Sequence, residues 1–565
     1  MKPGKTAEWL IKRYEGLRSE RSGIFDPVYQ QISQYFFPEK STINMDKSEG
    51  IAGWTDELYD TTAIESKDAF ASGMRNYLNP SNVNWHAYDP PEYLKNDDEA
   101  AVWYGKCTDI HLRLLARSNF YSVKHELDQS LATFGTGLFF CDEARQDSLY
   151  SAPFYFGEYL AGTYVLVEND MRVVDTVFRE FELTARQAVQ KFGLENVSAK
   201  VRKNYESASP GGQDKKAKYL HCVYPRMEDE MTRGRLDPQN KPFASYYVCI
   251  DDKCIVKESG FDEMPYFAPR FTRWGKSPYG FSPAFLSLPN VRQVNFMTYF
   301  SDALAELKVN PRVIIPSSLV GSVDYRAGGE TVVKANDPNQ WPKEWMTAGD
   351  SKEAMVSIEK KQEAIKRAFY VQLFNTLGQL TSQQFNPVQV QAIMSEKIEQ
   401  FAPVFDRMTA ELFNPLLHRT FNLCNRLGYF PTPPASVMRL VRNKTVVTAP
   451  PEVTYSSRIA FALKAIQSQA FINALQVGAQ IAQGRPDVMD NVDLDQGYRT
   501  FMLETGVQPD LLIPEKKRDE MRQQRQEQLQ QQRGLDAAGT LSKAAGQLGK
   551  APAGIQKAVT DSLGT

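Results

Sequence analysis

Residues 368–395, AFYVQLFNTLGQLTSQQFNPVQVQAIMS, contain no Asp, Glu, Lys or Arg, in a chain of which 24% is charged. At the centre of the stretch lies GQLTSQQFN, 378–386, with a helical pattern before it and Pro387, a favoured first-turn residue, after it. Loops sit in water and ordinarily carry charge. One built from Gln, Ser, Thr and Asn is wet but neutral, which suits a surface that touches a charged partner without gripping it. A sliding polyanion is one such partner. The alternative is a loop that is neutral because an interface keeps it dry, and in an oligomer both readings hold together.

Working outward, residues 352–377 form a helical pattern with Met355, Ile358, Ile365, Phe369 and Leu373 on one side and Lys360, Lys361, Glu363, Lys366 and Arg367 elsewhere. Before it, 282–308 carries the stripe Val291, Val294, Met297, Ser301, Leu304 and Leu307 until Asn310-Pro311 ends it. Between the two helices, 311–350 holds the β runs RVIIP and TVVKA, a Gly-Gly turn and the Pro/Trp-rich NDPNQWPKEW. After the neutral loop, 387–427 reads as a long helix bent by Pro403 and Pro415. The basic residues of 352–367, taken alone, read as the solvated face of an amphipathic helix; lining a nucleic-acid path is the alternative.

The front of the chain is helical at 6–36, at 56–78 up to the stop Asn79-Pro80, and at 97–138, which opens on Asp97, Asp98 and Glu99. From Ser151 onward short runs such as PFYFGEYL, TYVLVEND, YLHCVYP and SYYVCIDDKCIV predict a mostly antiparallel β region with a small helix at 184–192. Beyond YFPTPP come a strand-like segment (KTVVTAPPEVTYSS), helical pieces from 459 to 513, a polar helix former at 515–533 and an Ala/Gly/Lys-rich ending. The fold class is α+β, mainly helical.

At 565 residues the chain needs more than one core. Lys and Arg (66) nearly cancel Asp and Glu (68), so no global basic field exists to capture nucleic acid. The start lacks an apolar signal region and no stretch reaches the roughly 18 apolar residues of a membrane helix, which reads as a cytosolic protein. Six scattered cysteines read as reduced thiols.

No catalytic constellation emerges. Gly275-Lys276-Ser277 resembles the end of a phosphate loop, but Arg270 stands where a glycine is needed and Pro278 breaks the helix that should follow. Gly280-Phe281-Ser282-Pro283-Ala284 imitates a nucleophile elbow, but Pro283 lacks the N–H that an oxyanion hole needs. Cys249 and Cys254 lack a second ligand pair and read as strand thiols. The five histidines are dispersed. No cofactor or metal is expected, and no enzymatic activity.

The order helix, β insert, helix, neutral loop, bent helix resembles the head-to-tail connector, or portal, protein of short-tailed phages. Local words carry the resemblance too: YDTTA at 59–63, NPSNVNW at 79–85, SNFY at 118–121, FGTG at 134–137, VFREFELTARQAVQKFG at 177–193 and SPYGFSPAF at 277–285. It spans roughly the first 510 residues. The resemblance implies a ring of twelve identical subunits at one capsid vertex, conducting double-stranded DNA during packaging and ejection. It further implies a helical wing part at 1–150, a β-rich wing at 151–285, stem helices at 286–310 and 351–377, a clip at 311–350 and a tunnel loop at 378–386. A bent wing helix with following strands at 387–458, a crown at 459–514 and a polar extension at 515–565 complete the subunit.

By the same resemblance, Gln379, Leu380, Thr381, Ser382, Gln383, Gln384, Phe385 and Asn386 form the tunnel loop, and Lys360, Lys361, Lys366 and Arg367 are candidates to face the channel. Met355, Ile358, Ile365 and Phe369 are candidates for packing between subunits, and Arg312, Tyr325, Arg326, Trp341 and Trp345 belong to the clip. The implied partners are other copies of the chain, DNA, major capsid and scaffolding proteins, the terminase motor, and tail or adaptor proteins, with no membrane. The implied location is the virion's portal vertex, after synthesis in the host cytoplasm. A tail adaptor or capsid scaffold that conducts no DNA is the competing reading. A central hole of roughly 20 Å or more, wide enough for a duplex, distinguishes the two.

Overall fold

The structure is a computed structural model. The residues described run from 6 to 456, omitting 41–42, 44–57, 96, 145–152, 208, 228–236, 310, 316, 318–319, 322, 325–329, 331, 333–340, 345–350, 380–399 and 441–445; beyond them stand 475, 480, 493–495, 497–498, 502, 513 and 517–532. The chain divides into two units, Met1–Leu463 and Lys464–Thr565. In the second unit, residues 517–532 are an exposed helix, and Arg522 and Arg518 of that helix pair with Asp495.

In the first unit the helices include α1 (Ala7–Ile24), α2 (Asp26–Phe36), α3 (Thr62–Tyr77), α4 (Asp98–Arg117), α5 (Phe120–Phe134), α6 (Ala185–Phe192), α7 (Ala199–Tyr205), α8 (Pro283–Val309), α9 (Ser351–Ala368), α10 (Val371–Gln379) and α11 (Asn414–Arg426). The strands are β1 (His86–Asp89), β2 (Leu138–Glu143), β3 (Phe154–Tyr159), β4 (Tyr164–Glu168), β5 (Val174–Thr184), β6 (Lys216–Pro225), β7 (Phe243–Cys249), β8 (Cys254–Phe261) and β9 (Tyr266–Phe267). Short antiparallel pairs follow, including Val313–Ile314 with Lys343–Glu344 in the insert. The fold is mixed α+β with a helical majority.

The β region is an antiparallel meander in the order β4-β5-β6-β7-β8, beside a three-stranded sheet β3-β2-β9. Alternation along each strand gives the five-stranded sheet two apolar faces. One receives Leu10, Ile11 and Tyr14 of α1 against Val165, Phe178 and Leu220. The other receives Phe25 and Tyr29 against Tyr164, Leu166 and Val177. Thr184 closes a capping box with Gln187 at the start of α6.

Two expectations are corrected. The helix read over 97–138 is two helices broken at Ser118-Asn119, followed by a strand at Leu138–Glu143. Asn119 makes the break useful: its amide donates to the Phe156 carbonyl (2.7 Å) and accepts from the Phe156 N–H (3.0 Å), imitating a strand neighbour for β3. The N-terminal 150 residues therefore contain strands, because β1 also pairs with Glu452–Tyr455. The bend at Pro415 takes the form of a π turn, Thr409–Phe413, with the Asn414 N–H donating to the Thr409 carbonyl. Pro415 has no N–H for the carbonyl of Glu411, and the wider turn accommodates that loss.

Two of the dispersed histidines also meet. His86 Nε2 and His111 Nδ1 lie 3.1 Å apart, and His111 Nε2 lies 2.9 Å from Thr420 Oγ1, all buried. Burial pushes His111 down to about 3 and holds His86 well below the ordinary range, where the neighbouring ring adds to the effect. An unfolded imidazole takes up a proton near pH 6.5 whereas these do not, so acid favours the unfolded chain. The stability this neutral pair provides is complete above about pH 6.5 and is lost as pH falls from there towards the folded values, at up to roughly 1.4 kcal/mol per pH unit for each histidine. Denaturant unfolding at pH 7 and pH 5 should show a fall in stability that His111→Gln reduces; an identical pH slope in the variant would contradict this account.

Candidate functional site

The site is the pair α8 and α9, connected by the insert, and the short helix α10 that leads to the neutral loop. Burial along α8 is one-sided in sequence. Ala284, Ser287, Leu288, Val291, Val294 and Asn295 are buried, and none of the residues from Phe296 to Val309 is. Among the described residues of α9 only Ile365 is buried. The base of this helical hairpin thus sits in the core, and the remaining 14 residues of α8 run outward for about 21 Å.

One buried amide fastens the base. Asn295 Oδ1 accepts the backbone N–H groups of Tyr59 (2.8 Å) and Asp60 (3.0 Å). Asp60 Oδ1 accepts the Thr62 N–H at the start of α3, and its Oδ2 accepts the Gln362 side chain of α9 at 2.6 Å. The strap YDTTA therefore ties α8, α9 and α3 together, with Tyr59 against Tyr299 at 4.9 Å between ring centres. Lys361 Nζ donates to Gln293 Oε1 (2.7 Å), joining the two helices of the hairpin.

The helix expected over 352–377 is interrupted. Tyr370 has φ 56, in the left-handed region, a conformation that costs a bulky residue about 1–2 kcal/mol. Its ring packs on Phe401 (5.4 Å) and Phe271 (6.3 Å), which fixes the break. The break turns α10 so that Leu373 and Phe374 enter the core, Phe374 resting on Gly73 of α3 beside Phe70 and Tyr77. Phe369 stacks on Phe36 at 5.5 Å.

This corrects part of the expected subunit contact. Ile365 and Phe369 are 0% exposed inside the chain's own core and cannot pack against another copy. Ile358 is partly buried against that same core, whereas Met355 and its neighbour Val356 are exposed. A larger apolar surface, not picked out from the sequence, lies on α8: Leu286, Phe296, Tyr299 and Phe300 are 65%, 64%, 45% and 52% exposed. Phe296, Tyr299 and Phe300, with Tyr35 and Arg292, line an open groove of about 740 Å³. The signal was present as FMTYF at 296–300, which lies largely off the Val291/Val294 stripe.

Of the basic residues, Lys360, Lys366 and Arg367 are exposed, and Lys361 is held by Gln293. Gln379 is the last residue of α10; Leu380, Thr381, Ser382, Gln383, Gln384, Phe385 and Asn386 lie outside the described residues. Arg312 and Trp341 are exposed in the insert, and Tyr325, Arg326 and Trp345 lie outside the described residues. Among the described residues no group of three or more His, Cys, Asp or Glu is placed to hold a metal ion, and no helix is long and apolar enough to cross a membrane. Ser282 of the elbow-like motif is buried and donates to the Thr133 carbonyl at 2.7 Å.

Two charge clusters brace the surroundings. Arg270, 2% exposed, pairs with Glu168 and with Glu411 (2.7 Å), so the π turn meets the β region through a desolvated guanidinium. Arg419, also 2% exposed, donates to the carbonyls of Cys141 (3.0 Å) and Glu263 (2.9 Å). Between FGTG and SPYGFSPAF, the Gly280 N–H donates to Thr136 Oγ1 at 2.6 Å, and Gly135 (φ 74) and Gly280 approach so closely that a Cβ on either would strike the other's backbone.

A family model described as bacteriophage head to tail connecting protein matches residues 7–512, and the chain belongs to that family. It is similar to the portal protein of Salmonella phage epsilon15, with 27% identity over 93% of this chain and 92% of the relative. It is also similar to the probable portal protein of Bordetella phage BPP-1, with 26% identity over 98% of this chain and 97% of the relative. A chain from the virion of a native gene transfer agent particle aligns over 70% of this chain and 93% of its own length, at 12% identity and a TM-score of 0.31, too low to bear on the argument.

The packing at the base has a direct test. A Cβ at Gly73 would lie 2.3 Å from the Phe374 ring, so Gly73→Ala should cost about 1–3 kcal/mol and lower the melting temperature. Gly105→Ala, with nothing within 4 Å, should be neutral or slightly stabilising. Equal melting temperatures for the two variants would contradict the placement of Phe374.

Proposed function

We propose that this chain is the portal subunit of a short-tailed phage. In this reading twelve copies form a ring at one capsid vertex, double-stranded DNA passes through the axial channel during packaging and ejection, and the insert 311–350 docks first the terminase motor and then the tail. The observation that carries the reading is the hairpin itself, anchored at Asn295 with an aromatic face on its outer half that its own chain leaves exposed. Each half-exposed aromatic leaves on the order of 100 Å² of largely apolar area, and single-subunit interfaces of stable complexes bury about 800 Å². A repeated contact of one hairpin on the next closes into a ring when its rotation divides the circle. Family membership and the two portal relatives support the same conclusion.

The helices α8 and α9 then serve as the stem, 151–285 as the outer wing, 387–458 as the bent wing helix and strands, and 459–514 as the crown. The neutral segment 378–386 serves as the tunnel loop. Every Lys or Arg contact to a phosphate releases counterions and acts as a brake, so a channel that must pass a polyanion is better lined by Gln, Ser, Thr and Asn. Capsid and scaffolding proteins surround the ring at the virion vertex.

Two variants separate assembly from transport. Phe296→Asp combined with Phe300→Asp should leave the melting temperature within a few degrees of the parent, because both side chains are exposed, yet abolish the ring in mass measurements. Rings that persist would remove the α8 face from the interface. Gln383→Lys with Gln384→Lys should spare the ring and reduce the DNA packaged per particle; normal filling would remove the neutral-channel reading.

A further inference from the structure

The hairpin β7–β8 brings together the two cysteines whose spacing made no metal motif. Cys249 and Cys254 are directly opposite one another in the antiparallel register, at the end of the ladder. Cys249 Sγ donates to Asp252 Oδ2, in the turn between the two cysteines, at 3.9 Å. Directly paired antiparallel residues have Cα atoms about 4.5–5.5 Å apart, inside the 4.4–6.8 Å that a disulfide spans.

The intervening turn is fixed on both sides. The Lys253 N–H donates to the Ile250 carbonyl (3.3 Å), and Lys253 adopts φ 47 to return the chain into β8. The Ile250 N–H donates to the Lys218 carbonyl (2.9 Å), and the Lys218 N–H donates to Asp251 Oδ2 (3.1 Å), so the turn is held onto β6. The two sulfurs are therefore held in place by the sheet. Cys254 is partly exposed and Cys249 is buried behind it, whereas Cys107, Cys141, Cys222 and Cys424 are all buried.

We propose that Cys249 and Cys254 form a dithiol modification site that takes small-molecule disulfides as its oxidant and closes to an intrachain disulfide across the hairpin. The Cys254 thiolate attacks one sulfur of the small disulfide, whose S–S bond breaks and releases a thiol that takes up a proton. The Cys249 thiol then loses its proton and attacks the Cys254 sulfur of the mixed disulfide, expelling the second small thiol. In sum two protein thiols lose two protons and two electrons, and one small disulfide takes them up to become two thiols. Reducing surroundings hold the site open and oxidising surroundings close it.

Burial pushes the Cys249 thiol up to about 11, against a hydrogen bond from the Asp252 backbone that lowers it, and burial with the Asp252 charge raises Cys254 as well. The thiolate fraction is small near neutrality, so closure should speed up about tenfold per pH unit on the alkaline side.

The test uses the folded full-length chain incubated with oxidised glutathione, quenched by alkylation and digested for mass spectrometry. The expected result is one internally linked peptide containing both cysteines, lighter by two hydrogens, with two fewer alkylated thiols than the untreated chain. In Cys249→Ser, where the resolving sulfur is gone, Cys254 should retain a glutathione adduct. Full alkylation of both cysteines in the treated parent, a stable glutathione adduct on its Cys254, or a disulfide between two chains would each overturn the assignment.

Discussion

The buried amide of Asn295 is the point on which the rest of the arrangement hangs. It takes two backbone N–H groups from the strap at Tyr59-Asp60, and Asp60 passes the connection to α3 and to Gln362 of α9. Hydrogen bonds in such a place contribute modestly when made and cost about 1–3 kcal/mol when a buried partner is left unsatisfied. The consequence is directional. The buried residues of α8 end at Asn295, and none from Phe296 to Val309 is buried. A stiff arm with a fixed root is the part needed to build one interface many times over.

The second constraint is the helix break at Tyr370. A single straight helix would have carried the periodic residues Ile365, Phe369 and Leu373 along one stripe, but the left-handed residue redirects α10 so that Phe374 reaches Gly73. Several aromatic contacts offset the local strain. α10 is thereby packed on α3 up to Phe374. The charge clusters at Arg270 and Arg419 stay at the junctions of sheet and helix, where they are desolvated and paired.

Much of this was legible in the sequence, and the rest had physical reasons to stay hidden. Period and composition gave the helix, insert, helix order, the antiparallel β region and the small capped helix at Ala185–Phe192. The strand Leu138–Glu143 was missed because a short apolar run, LFFCDE, has no period that separates strand from helix. Breaks at Asn119 and Tyr370 depend on tertiary partners, Phe156 for one and Phe401 for the other. In the site, the stripe containing Ile365 and Phe369 was read as intersubunit because periodicity reports that a face is buried, not what buries it. The aromatic face of α8 lies largely off the Val291/Val294 stripe that helical periodicity picks out. The meeting of Cys249 and Cys254 depended on strand register, which spacing alone does not fix.

The central claim, that the anchored hairpin makes a repeated contact closing around a channel, is tested most directly by electron microscopy of the purified protein with native mass measurement of the same sample. The account predicts closed rings of about twelve subunits with an axial hole of roughly 20 Å or more, enough for a duplex. A monomer, or a ring without an open axis, would contradict it and favour a static adaptor or scaffold.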